Sequence, residues 1–141
     1  MPLHPLAVQA GKQLSLQSRI RARRQLEVLP SRIEKDEQLL HVATSSRGLV
    51  AATDRRLIVV RGADDVQEVA YSRIVSFVAA KDRRKPYIQL QTDSSELEVK
   101  GLGEGFEDIC RVVHARMWDV TLQRAAEPAS VEPIRRAAGA A

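Results

Sequence analysis

The sequence has few of the residues that make disulfides, membrane spans or aromatic clusters. Its single cysteine, Cys110, has no partner for an internal disulfide, which fits a reducing cytoplasm. No apolar run approaches the roughly 18 residues of a membrane span. Aromatic residues make up 4% of the chain and hydrophobic residues 44%, so the core must be built from Val, Leu, Ile and Ala. A chain of 141 residues has room for one domain with an appendage.

Motifs of enzymes and metal sites are also missing. The histidines His4, His41 and His114 are far apart, and no serine or aspartate motif of a catalytic triad accompanies them. The sequence has no HExxH, no paired cysteines and no phosphate-binding GxxxxGK[ST] loop. The stretch GLGEG at 101–105 lacks the last glycine of a dinucleotide fingerprint and is interpreted as a turn that enters a helix. We therefore expect a non-enzymatic protein without cofactor, metal or small-molecule substrate.

Acidic residues are absent from residues 1–26, and the net positive charge of the chain is concentrated in this N-terminal region. Residues 1–29 hold five basic side chains against one acid, and the remainder is balanced, so the whole net charge of +4 lies in the N-terminal segment. The first residues lack the charged start and continuous apolar run of a secretory signal. A basic segment without acids also suits a mitochondrial transit peptide. We expect a cytoplasmic protein, with peripheral attachment to a membrane as an option.

One basic amphipathic helix is predicted over residues 1–29, closed by Pro30. At about 100° per residue, apolar side chains fall on one side and Lys12, Arg19 and Arg23 on the other. Leu16 and Leu26 depart from this pattern, because they fall on the basic side. The apolar side comprises Leu3, Leu6, Ala7, Ala10, Leu14 and Ile20.

Seven short segments with alternating or β-branched apolar residues follow, separated by turn-forming residues. Short strands on short connections predict an antiparallel sandwich or barrel. In the last two strands we expect Ile88, Leu90, Leu97 and Val99 to point inward. The seven segments are 37–43, 48–53, 56–61, 67–71, 74–80, 86–92 and 96–101.

The helical period returns after residue 105. An apolar stripe predicts a helix that packs on the sheet, with acids in its first turn and arginines later, as the helix dipole favours. The predicted domain spans 30–122, and the Ala- and Pro-rich residues 123–141 are expected to form a disordered tail. The stripe consists of Phe106, Ile109, Cys110, Val113, Met117 and Val120.

Seven strands followed by one helix is the order of a pleckstrin-homology (PH) domain. The segments GLVAATDRRLIVV, VAYSRIVSF, YIQLQT and ELEVKG resemble the small bacterial PH domains of the YokE-like and related groups. This resemblance implies a mainly β fold with helices, a seven-stranded antiparallel sandwich or barrel capped by a C-terminal α-helix, here with an added N-terminal helix. It also implies a non-enzymatic scaffold that presents loops to lipid headgroups, proteins or copies of itself. The matching positions are Gly48, Thr53, Arg56, Tyr71, Ile74 and Phe77.

Two adjacent arginines stand at the turn between the second and third strands. Asp54 can cap its own backbone there and Arg56 begins the next strand, which is ordinary turn chemistry. The resemblance also implies a structural role for Arg56. We therefore assign Thr53, Asp54 and Arg56 to the turn, and treat Arg55 as a candidate contact for an anion or a partner.

Two further basic clusters are candidates for binding. Lys81, Arg83, Arg84 and Lys85 stand at a predicted hairpin tip, where they either meet phosphates or keep the hairpin soluble. The predicted N-terminal helix carries a second cluster, which either packs with its helix on the domain or meets an anionic membrane or RNA. That cluster consists of Arg19, Arg21, Arg23 and Arg24.

Trp118 lies off the apolar stripe of the C-terminal helix. Because tryptophan is a common interface anchor, we expect it to contact the N-terminal helix or a second subunit. The sequence as a whole favours an adaptor or interaction module that docks on a protein assembly, on copies of itself or on an anionic surface. Two alternatives stay open: a peripheral binder of anionic lipid, and an accessory protein for nucleic acid or ribonucleoprotein.

Overall fold

A computed structural model of the chain describes residues 4–81 and 85–126, with side chains for 4–80 and 85–119. The helices are α1 (Pro5–Lys12), α2 (Leu16–Arg21), α3 (Arg23–Val28) and α4 (Phe106–Ala126), and 3₁₀ turns occupy Leu29–Arg32 and Tyr71–Arg73. The strands are β1 (Leu39–Thr44), β2 (Leu49–Thr53), β3 (Arg56–Gly62), β4 (Asp65–Ala70), β5 (Ile74–Lys81), β6 (Pro86–Thr92) and β7 (Glu96–Val99).

The seven strands form two antiparallel sheets. Sheet A has the order β1-β2-β3-β4 and sheet B the order β5-β6-β7, so strands pair with their neighbours along the chain within each sheet, and β4 and β5 belong to different sheets. This arrangement confirms the seven predicted strands. It also decides between the two predicted architectures, since the sheets form a sandwich and not a closed barrel.

Sheet A is covered on both faces. Every residue of β2 is buried, as are four consecutive residues of β3, so these strands show none of the alternation expected when one face meets water. Residues of α1, of α3 and of the 3₁₀ turn after it form one apolar cluster with the outer face of sheet A. The cluster consists of Ala7, Ala10, Leu14, Ala22, Leu26, Leu29, Ile33, Leu39, Val42, Leu49, Ala51, Ile58 and Val60.

A second apolar cluster lies between the two sheets and beneath α4. Ile88, Leu90, Leu97 and Val99 are buried in it, which confirms the predicted inward positions. From α4, Ile109 and Val113 are fully buried, while Phe106, Cys110 and Met117 pack at the edge. The predicted stripe on the C-terminal helix is therefore confirmed up to Met117, and the side chain of Val120 lies outside the described residues.

The predicted N-terminal helix is present as three short helices. Ser15 begins α2 as its N-cap and accepts a hydrogen bond from the Ser18 N–H at 3.3 Å. Glu104, which precedes α4, accepts hydrogen bonds from the Ser15 N–H at 2.5 Å and from the Ser18 hydroxyl at 3.0 Å. The break before Ser15 changes the phase of the helix, so Leu26 is buried, contrary to the single-helix prediction.

The C-terminal helix is longer than expected. It runs to Ala126, four residues into the segment 123–141 that was expected to be a disordered tail. Residues 127–141 lie outside the described part of the chain. Among the described helices, none is both long and apolar enough to cross a membrane.

Candidate functional site

The turn between β2 and β3 is organised by the Thr53 hydroxyl. Its oxygen accepts hydrogen bonds from the N–H groups of Arg55 and Arg56, both at 3.1 Å, and its hydroxyl donates to Glu37 Oε2 at 2.5 Å. Tyr71, which is buried, donates its phenol proton to the Thr53 carbonyl at 2.7 Å. Burial raises the pKa of Tyr71, so the phenol remains a donor.

Arg56 joins four parts of the chain. Its Nη2 lies 2.6 Å from Glu37 Oε1 and its Nε 3.0 Å from Glu37 Oε2, which makes a bidentate pair. The same guanidinium donates to Glu68 and, at 3.0 Å, to the Arg32 carbonyl. Burial alone would raise the pKa of Glu37, but hydrogen bonds from Arg56 and Thr53 outweigh it and hold that pKa below its usual range. The guanidinium of Arg56 is therefore committed to contacts within the chain.

Arg55 and Asp54 also have partners within the chain. Arg55 pairs with Glu34 at 2.9 Å and with Asp36 at 2.7 Å, and all three side chains are exposed. The Asp54 carboxylate accepts a hydrogen bond from the Gln38 N–H at 2.9 Å, so the expectation that it caps its own turn is wrong. The Thr53 hydroxyl caps the turn, and Asp54 instead holds Gln38, the residue directly before β1, through its hydrogen bond.

The basic hairpin between β5 and β6 falls largely outside the structural description. Arg83, Arg84 and the side chain of Lys81 lie outside the described residues. Lys85 is described and is exposed just before β6. A binding role for this hairpin therefore stays a prediction.

Three large apolar side chains are exposed on α1 and α2. The exposed fractions are 41% for Val8, 66% for Leu16 and 67% for Ile20. Together they border a groove of about 340 Å³ between α1, α2 and the start of α3. The single-helix prediction placed Ile20 with the buried side chains, and the structure corrects this.

Basic side chains surround these apolar residues. Lys12, Arg19 and Arg23 line the same groove, and no acidic residue lines it. Arg19 packs its aliphatic stem over Gly11, where an added Cβ would come within 3.1 Å of Arg19 Cδ. We call the surface formed by Val8, Leu16, Ile20, Lys12, Arg19 and Arg23 the N-terminal face.

The four predicted N-terminal arginines divide between two surfaces. Arg19 and Arg23 belong to the N-terminal face, where Arg23 also pairs with Glu27 at 3.2 Å. Arg21 points into a separate cleft beside the β1–β2 loop. Arg24 is exposed and lines neither. The position of Leu16 on the predicted basic side was the one sequence signal that apolar and basic side chains share a surface.

Trp118 is exposed on α4, with 63% of its surface accessible. The expected contact with the N-terminal helix stays a prediction. A contact with a second subunit stays a prediction.

The groups that might carry out chemistry are dispersed. Among the described residues, no three His, Cys, Asp or Glu side chains lie close enough to hold a metal ion. His114 packs edge-on against Phe77, with 5.2 Å between ring centroids. Burial, with a smaller contribution from Glu107, raises the pKa of Cys110, so its thiol stays protonated at neutral pH.

A four-stranded and a three-stranded antiparallel sheet, packed as a sandwich and followed by a C-terminal helix, define a PH-like fold. The fold of a solved PH domain agrees. The PH domain from Shewanella amazonensis SB2B superposes with a TM-score of 0.50 at 18% identity, over 73% of this chain and 93% of that chain. A DUF1696 family protein with a PH domain, from Shewanella loihica PV-4, gives a TM-score of 0.49 at 18% identity, over 68% of this chain and 96% of that one.

No family model matches the sequence, and no curated protein matches it either. The likeness to bacterial PH domains therefore concerns the fold. The fold expected from the resemblance is confirmed, while function must be argued from the surfaces of this chain.

Proposed function

We propose that the protein is a non-enzymatic interaction module that docks on an anionic lipid surface through its N-terminal face. The observation that carries this proposal is the placement of three exposed apolar side chains among three basic ones, with no acid lining the groove. An interfacial helix that binds anionic membranes combines the same two features.

The size of the face predicts reversible binding. The exposed fractions of Val8, Leu16 and Ile20 are 41%, 66% and 67%, and fully burying an aliphatic side chain contributes about 1.5–3 kcal/mol, so burying the exposed parts contributes about 4 kcal/mol. Lys12, Arg19 and Arg23 each add about 1 kcal/mol near anionic lipid. The sum is comparable to that of a single fatty acyl chain, which gives weak and reversible attachment.

The mixed character of the face favours lipid over the other partners. A nucleic-acid surface would use the arginines but gain little from exposed Leu16 and Ile20. A protein partner would need acidic groups placed opposite each cation, whereas an anionic bilayer supplies negative charge at every position.

Vesicle sedimentation tests the proposal. The full chain should bind phosphatidylserine-containing vesicles at low salt, bind phosphatidylcholine vesicles weakly, and be released by high salt. Leu16→Ser with Ile20→Ser should weaken binding about hundredfold. Lys12→Gln, Arg19→Gln and Arg23→Gln together should weaken it by a similar factor at low salt.

The control changes exposed apolar residues elsewhere. Val75 and Val78 on β5 are 70% and 48% exposed, so Val75→Ser with Val78→Ser removes comparable apolar surface and should leave vesicle binding unchanged. Equal loss in both double variants would contradict a defined face. Nucleic acid that co-purifies through the arginines alone, or a protein partner bound without any lipid affinity, would replace the proposal by one of those alternatives.

A further inference from the structure

The groove in the N-terminal face reaches down to the apolar core. Its floor includes Ala7 and Leu26, which are 1% and 4% exposed and belong to the apolar cluster on the outer face of sheet A. Gly11 deepens this floor, because a Cβ there would lie 3.1 Å from Arg19 Cδ and 3.9 Å from Leu26 Cδ1. The groove is therefore apolar from its floor to its rim. The exposed apolar side chains at the rim are Val8, Leu16 and Ile20.

The size of the groove suits one hydrocarbon chain. Its volume of about 340 Å³ lies within the range of about 300–1,000 Å³ that small-molecule sites occupy. A methylene group takes up about as much space as a water molecule, about 30 Å³, so the groove holds a chain of about eleven carbons. The two chains of a phospholipid would need about twice that volume. The groove therefore fits a ligand with a single chain.

The cations of this groove favour a chain that ends in an anion. Lys12 and Arg19 line the groove, and neither takes part in an ion pair found among the described residues. Arg23 lines it too, but it already pairs with Glu27 at 3.2 Å. No acidic side chain of the described residues lines the groove. An ammonium and a guanidinium group beside an apolar floor suit a carboxylate on a hydrocarbon chain.

We infer that the groove binds a free fatty acid, with its chain along the floor formed by Ala7, Gly11 and Leu26 and its carboxylate at Lys12 and Arg19. The inference rests on the proposed function, because it assigns a ligand to the same face. The two uses of the face differ in one respect. A bilayer contacts the side chains exposed at the rim, whereas a fatty acid also needs the space above Gly11.

A series of saturated fatty acids tests the length of the groove. Calorimetric titration of the full chain, with each acid below the concentration at which it forms micelles, gives the affinities of octanoate, decanoate, dodecanoate and hexadecanoate. Affinity should rise about twofold to fourfold for each added methylene, because a fully buried methylene is worth about fourfold. The rise should stop near dodecanoate, where the groove is full. An affinity that keeps rising up to hexadecanoate would overturn a site of this size.

A neutral analogue tests the carboxylate contact. Decanoate should bind about tenfold more tightly than 1-decanol, since only decanoate pairs with the cations. Lys12→Gln with Arg19→Gln should remove that difference and leave 1-decanol binding unchanged. Arg24→Gln with Lys35→Gln is the matched control, because it removes two exposed cations that do not line the groove. Equal loss of decanoate binding in both double variants would overturn the carboxylate assignment.

Substitutions at Gly11 test the floor. Gly11→Ala takes up the space of about one methylene and should weaken dodecanoate binding about fourfold, and the larger Gly11→Val should weaken it further. Alanine is favoured over glycine within a helix, so Gly11→Ala should not lower the unfolding midpoint. Gly62→Ala is the control, since a Cβ at Gly62 meets no atom within 4 Å. Unchanged dodecanoate binding in both Gly11 variants would overturn the placement of the chain.

Vesicle sedimentation of the same variants separates this inference from the proposed function. Gly11→Val should weaken dodecanoate binding much more than binding to phosphatidylserine-containing vesicles. Equal weakening of both would assign the groove to an acyl chain of the bilayer and overturn the free fatty acid. Vesicle binding without dodecanoate binding would overturn the inference and leave the proposed function standing. Dodecanoate binding that levels off with chain length, without vesicle binding, would support the inference and overturn the proposed function.

Discussion

Replacing Arg56 with alanine should destabilise the protein far more than the same change at Arg55, its neighbour in the turn. The side chain of Glu37 has no exposed surface, and that of Arg56 is 21% exposed. Removing one partner of a buried ion pair costs about 3–5 kcal/mol, because the other charge stays buried and unpaired. The partial exposure of Arg56 places Arg56→Ala near the lower limit, at about 3 kcal/mol, or roughly 10 °C in the unfolding midpoint.

Chemical denaturation followed by far-ultraviolet circular dichroism measures this difference. Arg55→Ala should leave the midpoint nearly unchanged, because Arg55 pairs in solvent with carboxylates that are 62% and 76% exposed. The two variants remove the same side chain one residue apart, so general effects of losing an arginine cancel. A loss in Arg56→Ala no larger than that in Arg55→Ala would refute the structural role of Arg56.

The pH dependence gives a second readout of the same pair. The pKa of Glu37 is held below its ordinary value near 4.5, so its stabilising contribution is present above that value and is lost as pH falls through the lowered pKa. In Arg56→Ala the contacts from the guanidinium are lost while those from Thr53 and the backbone remain, so burial weighs more heavily and the pKa of Glu37 should rise. Protonation of Glu37 on acidification should then narrow the difference in stability between the variant and wild type. Glu37→Gln added to Arg56→Ala should restore stability at neutral pH, since it removes the unpaired charge.

Three other changes test contacts around this core. Tyr71→Phe should cost about 1–2 kcal/mol in denaturant unfolding, because the Thr53 carbonyl loses its buried donor. Gly105→Ala should destabilise by about 2 kcal/mol or more, since φ is +89° and the new Cβ would lie 2.2 Å from the Val42 carbonyl oxygen; an unchanged midpoint would contradict the close approach. Hydrogen bonds from the N-cap of α2 lower the pKa of Glu104, so Glu104→Gln should flatten the stability loss that wild type shows as pH falls below about 4.5.

The strands could be predicted because their signals are local. Alternating apolar residues and turn-forming residues determine each strand within four to eight positions, and within each sheet strands that follow one another pair as neighbours. The Thr53-x-x-Arg56 turn is local too, since the hydroxyl that organises it caps N–H groups two and three residues away. Period and turn chemistry therefore sufficed for the seven strands, but they left the choice between sandwich and barrel open.

The N-terminal helices and the cleft could not be predicted, because they depend on distant partners. The break at Ser15 is supported by Glu104, 89 residues away in sequence. The buried partner of Arg56 is 19 residues away, and the cleft joins residues from positions 21, 47 and 85. No pattern within a short window connects such residues. A prediction from helical periodicity alone therefore continues one helix through the break at Ser15.

The helices that cover the outer face of sheet A affect the order in which parts of the chain can fold during synthesis. The residues of α1–α3 leave the ribosome before the strands of sheet A, yet the surface they pack on is complete only when β3 has followed, since Gln25 donates to the carbonyl of Arg61, 36 residues later. Helices of six to eight residues are unstable alone in water. We therefore expect the N-terminal segment to stay unfolded during translation, with Leu14, Leu26 and Leu29 exposed to chaperones, until the strands of sheet A have formed.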